Sequence, residues 1–373
     1  MRKRASTLIG VAIAAVAAFA LVEPRELAPA GAPNAVPSVP ADLTPRQLAG
    51  QRIVCGFAGR TLPSGLAQAI GAGEVGGVIL FSPRNVSGRG QVRALNSSIQ
   101  AVSRPPSLKA PLLITVDQEG GQVKRLPGPP KFSAAEMGRR GAGVARSQGA
   151  ATGASLAGMG FNVDLAPVLD VARRRGFIAA QQRGFGAKPG SVSAAGVAFA
   201  RGLQGAGVAA TAKHFPGLGS TAANTDQRPA RIPLKLAMLR QVDEAPYRAF
   251  SAAAGSLVMV SSARYPALDG GKLPASQSRR IVTDELRGQI GFKGVTISDS
   301  LETPAATAGS GPGQVALRAA AAGTDLLLYT HCDAAAKAAA VLANALSAGT
   351  LDRASFEAAV DRILALRASL APG

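Results

Sequence analysis

The sequence predicts an α/β protein in which eight parallel strands, each followed by helical chain, close into a single-domain (β/α)8 barrel of the TIM type. Three observations carry that expectation. Short apolar runs recur at 52–57, 77–81, 112–116, 163–169, 208–212, 257–260, 295–297 and 326–329, eight in all. They are continuously apolar rather than alternating, which is the mark of parallel strands covered on both faces. Between them lie longer alanine-rich stretches of helix length. Periodicity alone also admits an open, doubly wound sheet.

At 373 residues the chain has room for one such barrel, which takes ~250 residues, or for two ordinary domains. Hydrophobic residues make up 47% of it and charged residues only 17%, so a packed core is expected rather than disorder.

The chain opens with Arg2-Lys3-Arg4 and an uncharged apolar run of 18 residues over 5–22. A basic head before an apolar middle is the pattern of an export signal. Ala18-Phe19-Ala20 and Ala28-Pro29-Ala30 are small-x-small cleavage candidates, and the run is also near the length of an uncleaved membrane anchor. Residues 1–22 are therefore read as a signal peptide or membrane tether, and the protein as secreted or held at the cell envelope. No cysteine follows the run, so lipoprotein attachment is not expected. Prolines recur through 23–41, which reads as an extended linker. The folded part, 42–373, begins at Thr44-Pro45-Arg46-Gln47, a capping box with proline at the first helical position.

In a parallel barrel the active face is built from residues just past the carboxyl ends of the strands. Those ends are polar here. Ser82-Pro83-Arg84-Asn85 follows the second run and Asp117-Gln118-Glu119-Gly120-Gly121 the third, with Lys124 and Arg125 shortly after. The fourth run carries Asp164 and ends at Asp170. The fifth opens into Lys213-His214-Phe215-Pro216-Gly217-Leu218-Gly219, expected as a loop at the strand end. Ser298-Asp299-Ser300-Leu301-Glu302 follows the seventh. Each has a bland account: Asp170 bracing a loop, Arg84 pairing with a neighbour, Glu119 capping a helix. Polar clusters at nearly every strand end are poorly explained by chance.

Two helices are expected to close the chain, at 333–348 and 352–370, the first opening on an aspartate cap. Cys55, mid-strand in the first run, and Cys332, just after the eighth, are too few for a disulfide framework. A closed barrel makes the first and last strands neighbours, so the two are either joined or left as buried free thiols; the mid-strand place of Cys55 favours the thiols. The net charge of +19 is scattered, and 4% aromatic content supplies few stacking platforms, so no nucleic-acid partner is expected. Attraction to an anionic envelope polymer accounts for the charge equally well.

Over residues 43–370 the chain resembles the bacterial β-N-acetylglucosaminidases of glycoside hydrolase family 3, in their single-barrel form. The resemblance is carried, in order, by Gly77-Val78-Ile79-Leu80-Phe81, Val116-Asp117-Gln118-Glu119-Gly120-Gly121, Asp164-Leu165-Ala166-Pro167-Val168-Leu169-Asp170, Lys213-His214-Phe215-Pro216-Gly217 and Gly291-Phe292-Lys293-Gly294-Val295-Thr296-Ile297-Ser298-Asp299. It implies the barrel, no cofactor, no metal, and a retaining double displacement on terminal β-linked N-acetylglucosamine of cell-wall-type glycans. Asp299 matches the nucleophile, which needs an ionised carboxylate on a rigid strand end. Asp117, Arg125, Arg183, Lys213 and His214 match the groups that bind the sugar hydroxyls through charge-assisted hydrogen bonds. Arg183 lies in Gln182-Arg183-Gly184-Phe185-Gly186, with glycine where the family shows serine.

The match breaks in one loop. Relatives carry Gly-His-Gly where this chain has Gly217-Leu218-Gly219, and Asp-Ser-His where it has Asn224-Thr225-Asp226. The family's acid/base is that last histidine, so Asp226 stands in its place and Asn224 in that of its helper. A carboxyl serves as general acid when burial or a neighbouring negative charge raises its pKa, and Asp299 across the site is such a neighbour. Glu302 and Glu119 are less favoured acids. Two alternatives stay open: the same fold acting on β-glucosides or β-xylosides, or a sugar-binding barrel without turnover. Phosphate as acceptor is disfavoured, since an Asp226 carboxylate would repel it.

Overall fold

The computed structural model describes residues 39–253 and 255–370. The expected signal or anchor and most of the linker lie outside the described residues; among those described, no helix is long and apolar enough to cross a membrane.

All eight expected strands form, and they make one parallel sheet. They are β1 (Ile53–Gly56), β2 (Gly77–Ile79), β3 (Leu113–Val116), β4 (Val163–Asp164), β5 (Ala209–Phe215), β6 (Leu257–Val260), β7 (Val295–Ser298) and β8 (Leu327–Tyr329). Sequence neighbours pair throughout, and β1 pairs β8 with Val54 opposite Leu328. Closure between β7 and β8 rests on a bridge of Ile297 with Leu326 and on the Ser298 N–H donated to the Leu326 carbonyl at 2.9 Å. The open doubly wound alternative is thereby excluded.

Pleating sorts the strand residues into two apolar layers. Val54, Ile79, Leu113, Val163, Ala209, Leu257, Val295, Ile297 and Leu328 fill the barrel, while Cys55, Val78, Ile114, Ala210, Val258 and Leu327 pack outward against helices. Continuing the inward alternation in steps of two toward the carboxyl ends, through Thr115 and Thr211 in β3 and β5, reaches Phe81, Asp117, Lys213, Asp299 and Thr330. The strand pleat itself therefore aims polar groups into the mouth.

The capping box at Thr44 forms as expected, with Gln47 reciprocating. Asp352 caps the last helix, Arg353–Ser369, through Ser355 N–H. The preceding helix, Cys332–Ser347, departs from expectation. Its N-cap is His331, and Asp333 sits inside the first turn, because Cys332 already has helical backbone.

Cys55 and Cys332 form a disulfide with 5.0 Å between Cα atoms, which overturns the expectation of free thiols. Cys55 is mid-strand but on the outward face, and its register partner on β8 is Tyr329, three residues before Cys332. A mid-strand cysteine reaches a helix start when the strand pairs with the one that feeds that helix.

Two further differences bear on the site. β5 runs on through Phe215, so Lys213 and His214 belong to a strand rather than a loop; Lys213 N–H reaches the Pro167 carbonyl at 3.1 Å and Ser261 N–H the Phe215 carbonyl at 2.9 Å. β4 is regular over only two residues, where a longer strand was expected, because Pro167 brings no N–H to the ladder.

Candidate active site

The barrel mouth holds a cavity of about 580 Å³, within the ~300–1,000 Å³ of ordinary ligand sites. Asp117, Arg125, Arg183, Lys213, His214, Asp226 and Asp299, the residues singled out from sequence, all line it. Apolar surface comes from Phe81, Phe177, Met259 and Leu328.

A charge network organises one wall. Lys213 is almost fully buried, and its Nζ lies 2.7 Å from both Asp117 Oδ1 and Glu119 Oε1. Arg183 grips Glu119 with two parallel bonds of 2.8 Å. Arg125 adds a looser contact to Asp117 at 3.8 Å. Burial alone would raise the Glu119 carboxyl, but Arg183 and Lys213 outweigh it and hold it at about 2. Burial likewise opposes the charge on Lys213, and Asp117 and Glu119 overcome it, so its pKa rises. Glu119 and Lys213 are thus charged at neutral pH, and the network opens to solvent mainly through Asp117 and the two arginines.

Glu119 reaches this position through a hairpin, Gln118–Gly120 with Val123–Lys124, that the sequence reading did not include. Gln118 ties the hairpin to the following loop through the Leu126 and Pro129 carbonyls at 3.0 and 2.8 Å. Gly120 has φ +97° and no room for a Cβ, which would lie 2.4 Å from the Phe132 carbonyl oxygen. The Glu-Gly-Gly step was the signal of a sharp turn that brings Glu119 inward instead of capping a helix.

His214 is fixed from below. Its Nδ1 is 2.7 Å from Asp170 Oδ2, and Asp170 Oδ1 accepts the N–H groups of His214 and Leu218 at 3.2 and 2.6 Å. Asp170 therefore does brace a loop, and in doing so orients the imidazole. Gly217, with φ +137°, packs so closely on Asp243 that a Cβ would lie 2.8 Å from the aspartate Cβ. Asp243 is held in turn by Arg173 at 2.6 and 2.7 Å.

Asp299 ends β7. Its N–H is donated to the Val260 carbonyl at 2.9 Å, and its Oδ1 accepts Ser300 N–H at 2.8 Å. Asp226 comes from the loop beyond β5 and lies exposed at the mouth. Its carboxyl is nevertheless raised above the usual range, first by the protein around it, which displaces water, and then by the negative charge of Asp299, with His214 and Arg183 opposing. Solvent at the rim limits that shift. Asn224 Oδ1 accepts the backbone N–H of Asp226 at 3.0 Å, so it shapes the turn and does not reach the carboxyl.

The less favoured acids are otherwise engaged. Glu119 is ionised within its network. Glu302 accepts Thr330 Oγ1 at 2.8 Å and His331 N–H at 3.0 Å, and it meets His331 Nδ1 at 3.0 Å. Thr330 and His331 both line the cavity, and the sequence reading had assigned them nothing. Arg84 does pair with a neighbour, donating to the Thr330 carbonyl at 3.1 Å.

Beneath the network Asp164 is fully buried. Its Oδ1 accepts Gln118 N–H at 3.0 Å, and its Oδ2 has no hydrogen-bond partner among the described residues. Burial pushes its carboxyl up to about 8, against the Gln118 N–H and Lys213, with Asp117 and Glu119 adding to the rise. In the unfolded chain it would release its proton near ~4. Between those values the folded state holds a proton that the unfolded state lacks, so stability falls as pH rises, by up to ~1.4 kcal/mol per unit. Asp164→Asn keeps the acceptor for Gln118 and removes the proton linkage. Urea unfolding should show the variant gaining on the wild type between pH 5.5 and pH 8. A constant difference across that range would count against a protonated Asp164.

A barrel that gathers paired charges and carboxyls at the carboxyl ends of its strands has the arrangement on which carbohydrate-active hydrolases are built. The chain belongs to glycosyl hydrolase family 3 and is a glycosidase: the glycosyl hydrolase family 3 N terminal domain matches residues 59–366. It is 39% identical to an uncharacterized secreted glycosyl hydrolase of Arthroderma benhamiae over 90% of this chain and 96% of that one. Among solved structures it is similar to a β-N-acetylhexosaminidase from Beutenbergia cavernae, with TM-score 0.79 and 31% identity over 88% of this chain and 99% of that one. A family 3 β-N-acetylglucosaminidase from Paenibacillus sp. gives TM-score 0.82 at 33% identity over 88% of this chain, which spans 63% of that longer enzyme.

Proposed function

We propose that the protein is a retaining exo-acting glycosidase that removes terminal β-linked N-acetylglucosamine from envelope glycans, with Asp299 as nucleophile and Asp226 as general acid/base. The observation that carries this reading is the convergence on one cavity of Asp299, Asp226 and the hydroxyl-binding set from separate strand ends. Asp117, Arg125 and Arg183 present charged hydrogen-bonding edges to the sugar hydroxyls, Lys213 and His214 hold the wall behind them, and Phe81 and Phe177 offer apolar faces. With the ring fixed, Asp299 attacks the anomeric carbon while Asp226 gives its proton to the departing oxygen. A glycosyl-enzyme ester forms. Asp226, now a carboxylate, takes a proton from water, which attacks the same carbon and releases Asp299 with overall retention.

The choice of Asp226 rests on its raised carboxyl beside Asp299, and on Glu119 and Glu302 being spent on fixed partners. The enzymes of similar fold named as β-N-acetylglucosaminidase and β-N-acetylhexosaminidase support the choice of sugar. Export is supported by the basic head and apolar run at the start of the sequence, and by one relative named as secreted. The strong positive charge suits an anionic envelope.

The test is hydrolysis of a chromogenic β-N-acetylglucosaminide set beside the matching glucoside and xyloside. Turnover of the N-acetylated substrate above the other two is expected. Preference for glucoside or xyloside would move the substrate assignment, and no turnover on any of them would leave a sugar-binding barrel.

A further inference from the structure

The polar lining divides by strand order. Asp117, Arg125, Arg183, Lys213 and His214 come from β5 and from the chain that follows β3 and β4, and Asp299 directly follows β7. Glu302, Thr330 and His331 follow β7 and β8, on the side where β8 turns to β1, away from the hydroxyl-binding wall. A ring gripped at β3 to β5 with its anomeric carbon at Asp299 leaves that second side to whatever is bonded to the anomeric oxygen.

This second side is built to hold one imidazole. Glu302 fixes the backbone at His331 through its N–H and the ring through Nδ1, both at 3.0 Å. It also accepts the backbone N–H and the hydroxyl of Thr330. Arg84 secures the Thr330 carbonyl from β2, and the next residue after His331 is tied to β1 by the Cys55–Cys332 disulfide. The ring nonetheless stays open to solvent, with 59% of its side chain exposed. Its Nε2 has no partner among the described residues. With Nδ1 facing a carboxylate, Nδ1 is the donor in the neutral ring and Nε2 the acceptor. Anchoring the loop alone would need only the two backbone N–H groups; the bond to Nδ1 fixes a side chain as well.

We propose that His331, oriented by Glu302, is the binding residue for the sugar on the leaving-group side of the scissile bond, accepting a hydroxyl or acetamido N–H of that sugar at Nε2. The site then prefers a glycan to a simple aglycone. The inference rests on the placement of Asp299 as nucleophile.

The experiment is calorimetric titration of Asp299→Ala, with and without His331→Ala, by N-acetylglucosamine and by its β-1,4-linked disaccharide. One lost hydrogen bond predicts that the disaccharide's affinity advantage over the monosaccharide falls about tenfold. His331→Gln, whose amide oxygen can replace the acceptor, should recover part of that ratio. A ratio unchanged within about twofold, or no disaccharide advantage in the parent, overturns the subsite. Melting temperatures of all variants confirm that the fold persists. Because binding is read without turnover, failure of the subsite shows as an unchanged ratio. Failure of the enzyme reading shows instead as absent hydrolysis by the wild type.

Discussion

Asp299→Ala should lower kcat/KM on an aryl β-N-acetylglucosaminide by about four to six orders of magnitude, the range over which loss of a catalytic-triad member or nucleophile falls elsewhere. Among the described residues the side chain bonds only the N–H of the next residue, and its backbone N–H to Val260 does not depend on it. The fold should therefore survive, and the melting temperature should move by only a few degrees. Without the carboxylate no glycosyl ester forms, and the residual rate comes from binding and acid assistance alone. Azide can occupy the space left and attack the same face, giving the α-glycosyl azide, whereas the wild type first releases the β-anomer. Proton NMR of the first-formed products distinguishes the two. A variant that keeps a tenth of the activity, or a wild type that inverts, would remove Asp299 from the nucleophile's role.

Asp226→Ala should produce a loss that depends on the leaving group. A poor leaving group, such as the second sugar of a disaccharide, needs a proton as the bond breaks, and removing a general acid costs ~10²–10⁴. An activated dinitrophenyl glycoside departs unaided, so its glycosylation step should fall by about tenfold or less. The pH profile carries a second signature. The Asp226 carboxyl is raised by displaced water and by Asp299, so it keeps its proton to a higher pH than an ordinary aspartate. Wild-type kcat/KM should fall on the alkaline side as that proton is lost, and the fall should vanish in Asp226→Ala. Equal losses on both substrates, or an alkaline limb that persists, would assign the acid elsewhere. Glu302→Gln, read on the same two substrates, identifies whether that place is the Glu302–His331 pair.

Much of this was legible in the chain before any fold was in view. Strand runs were readable because buried parallel strands need unbroken apolar residues. Asp117, Lys213 and Asp299 were readable because each lies just past the carboxyl end of an apolar run, where a parallel barrel builds its active face. Less legible were groups whose role depends on a distant partner. Glu119 looked like a cap until the hairpin turned it toward Lys213 and Arg183. His331 looked idle until β8 placed it beside Glu302. Cys55 looked like a free thiol because it is mid-strand, and only the fold shows that it faces outward toward the helix that follows β8.

The sequence by itself therefore determined the eight strand runs, the polar strand ends and the resemblance to the family, since all of these rest on local patterns of residue type and order. Only the tertiary structure decided which charges pair, which cysteines bond, and which carboxyl is raised. Those properties follow from burial and from distances across the barrel: Asp226 is raised first by the protein that displaces water from it and then by Asp299, which a different strand brings to the same mouth.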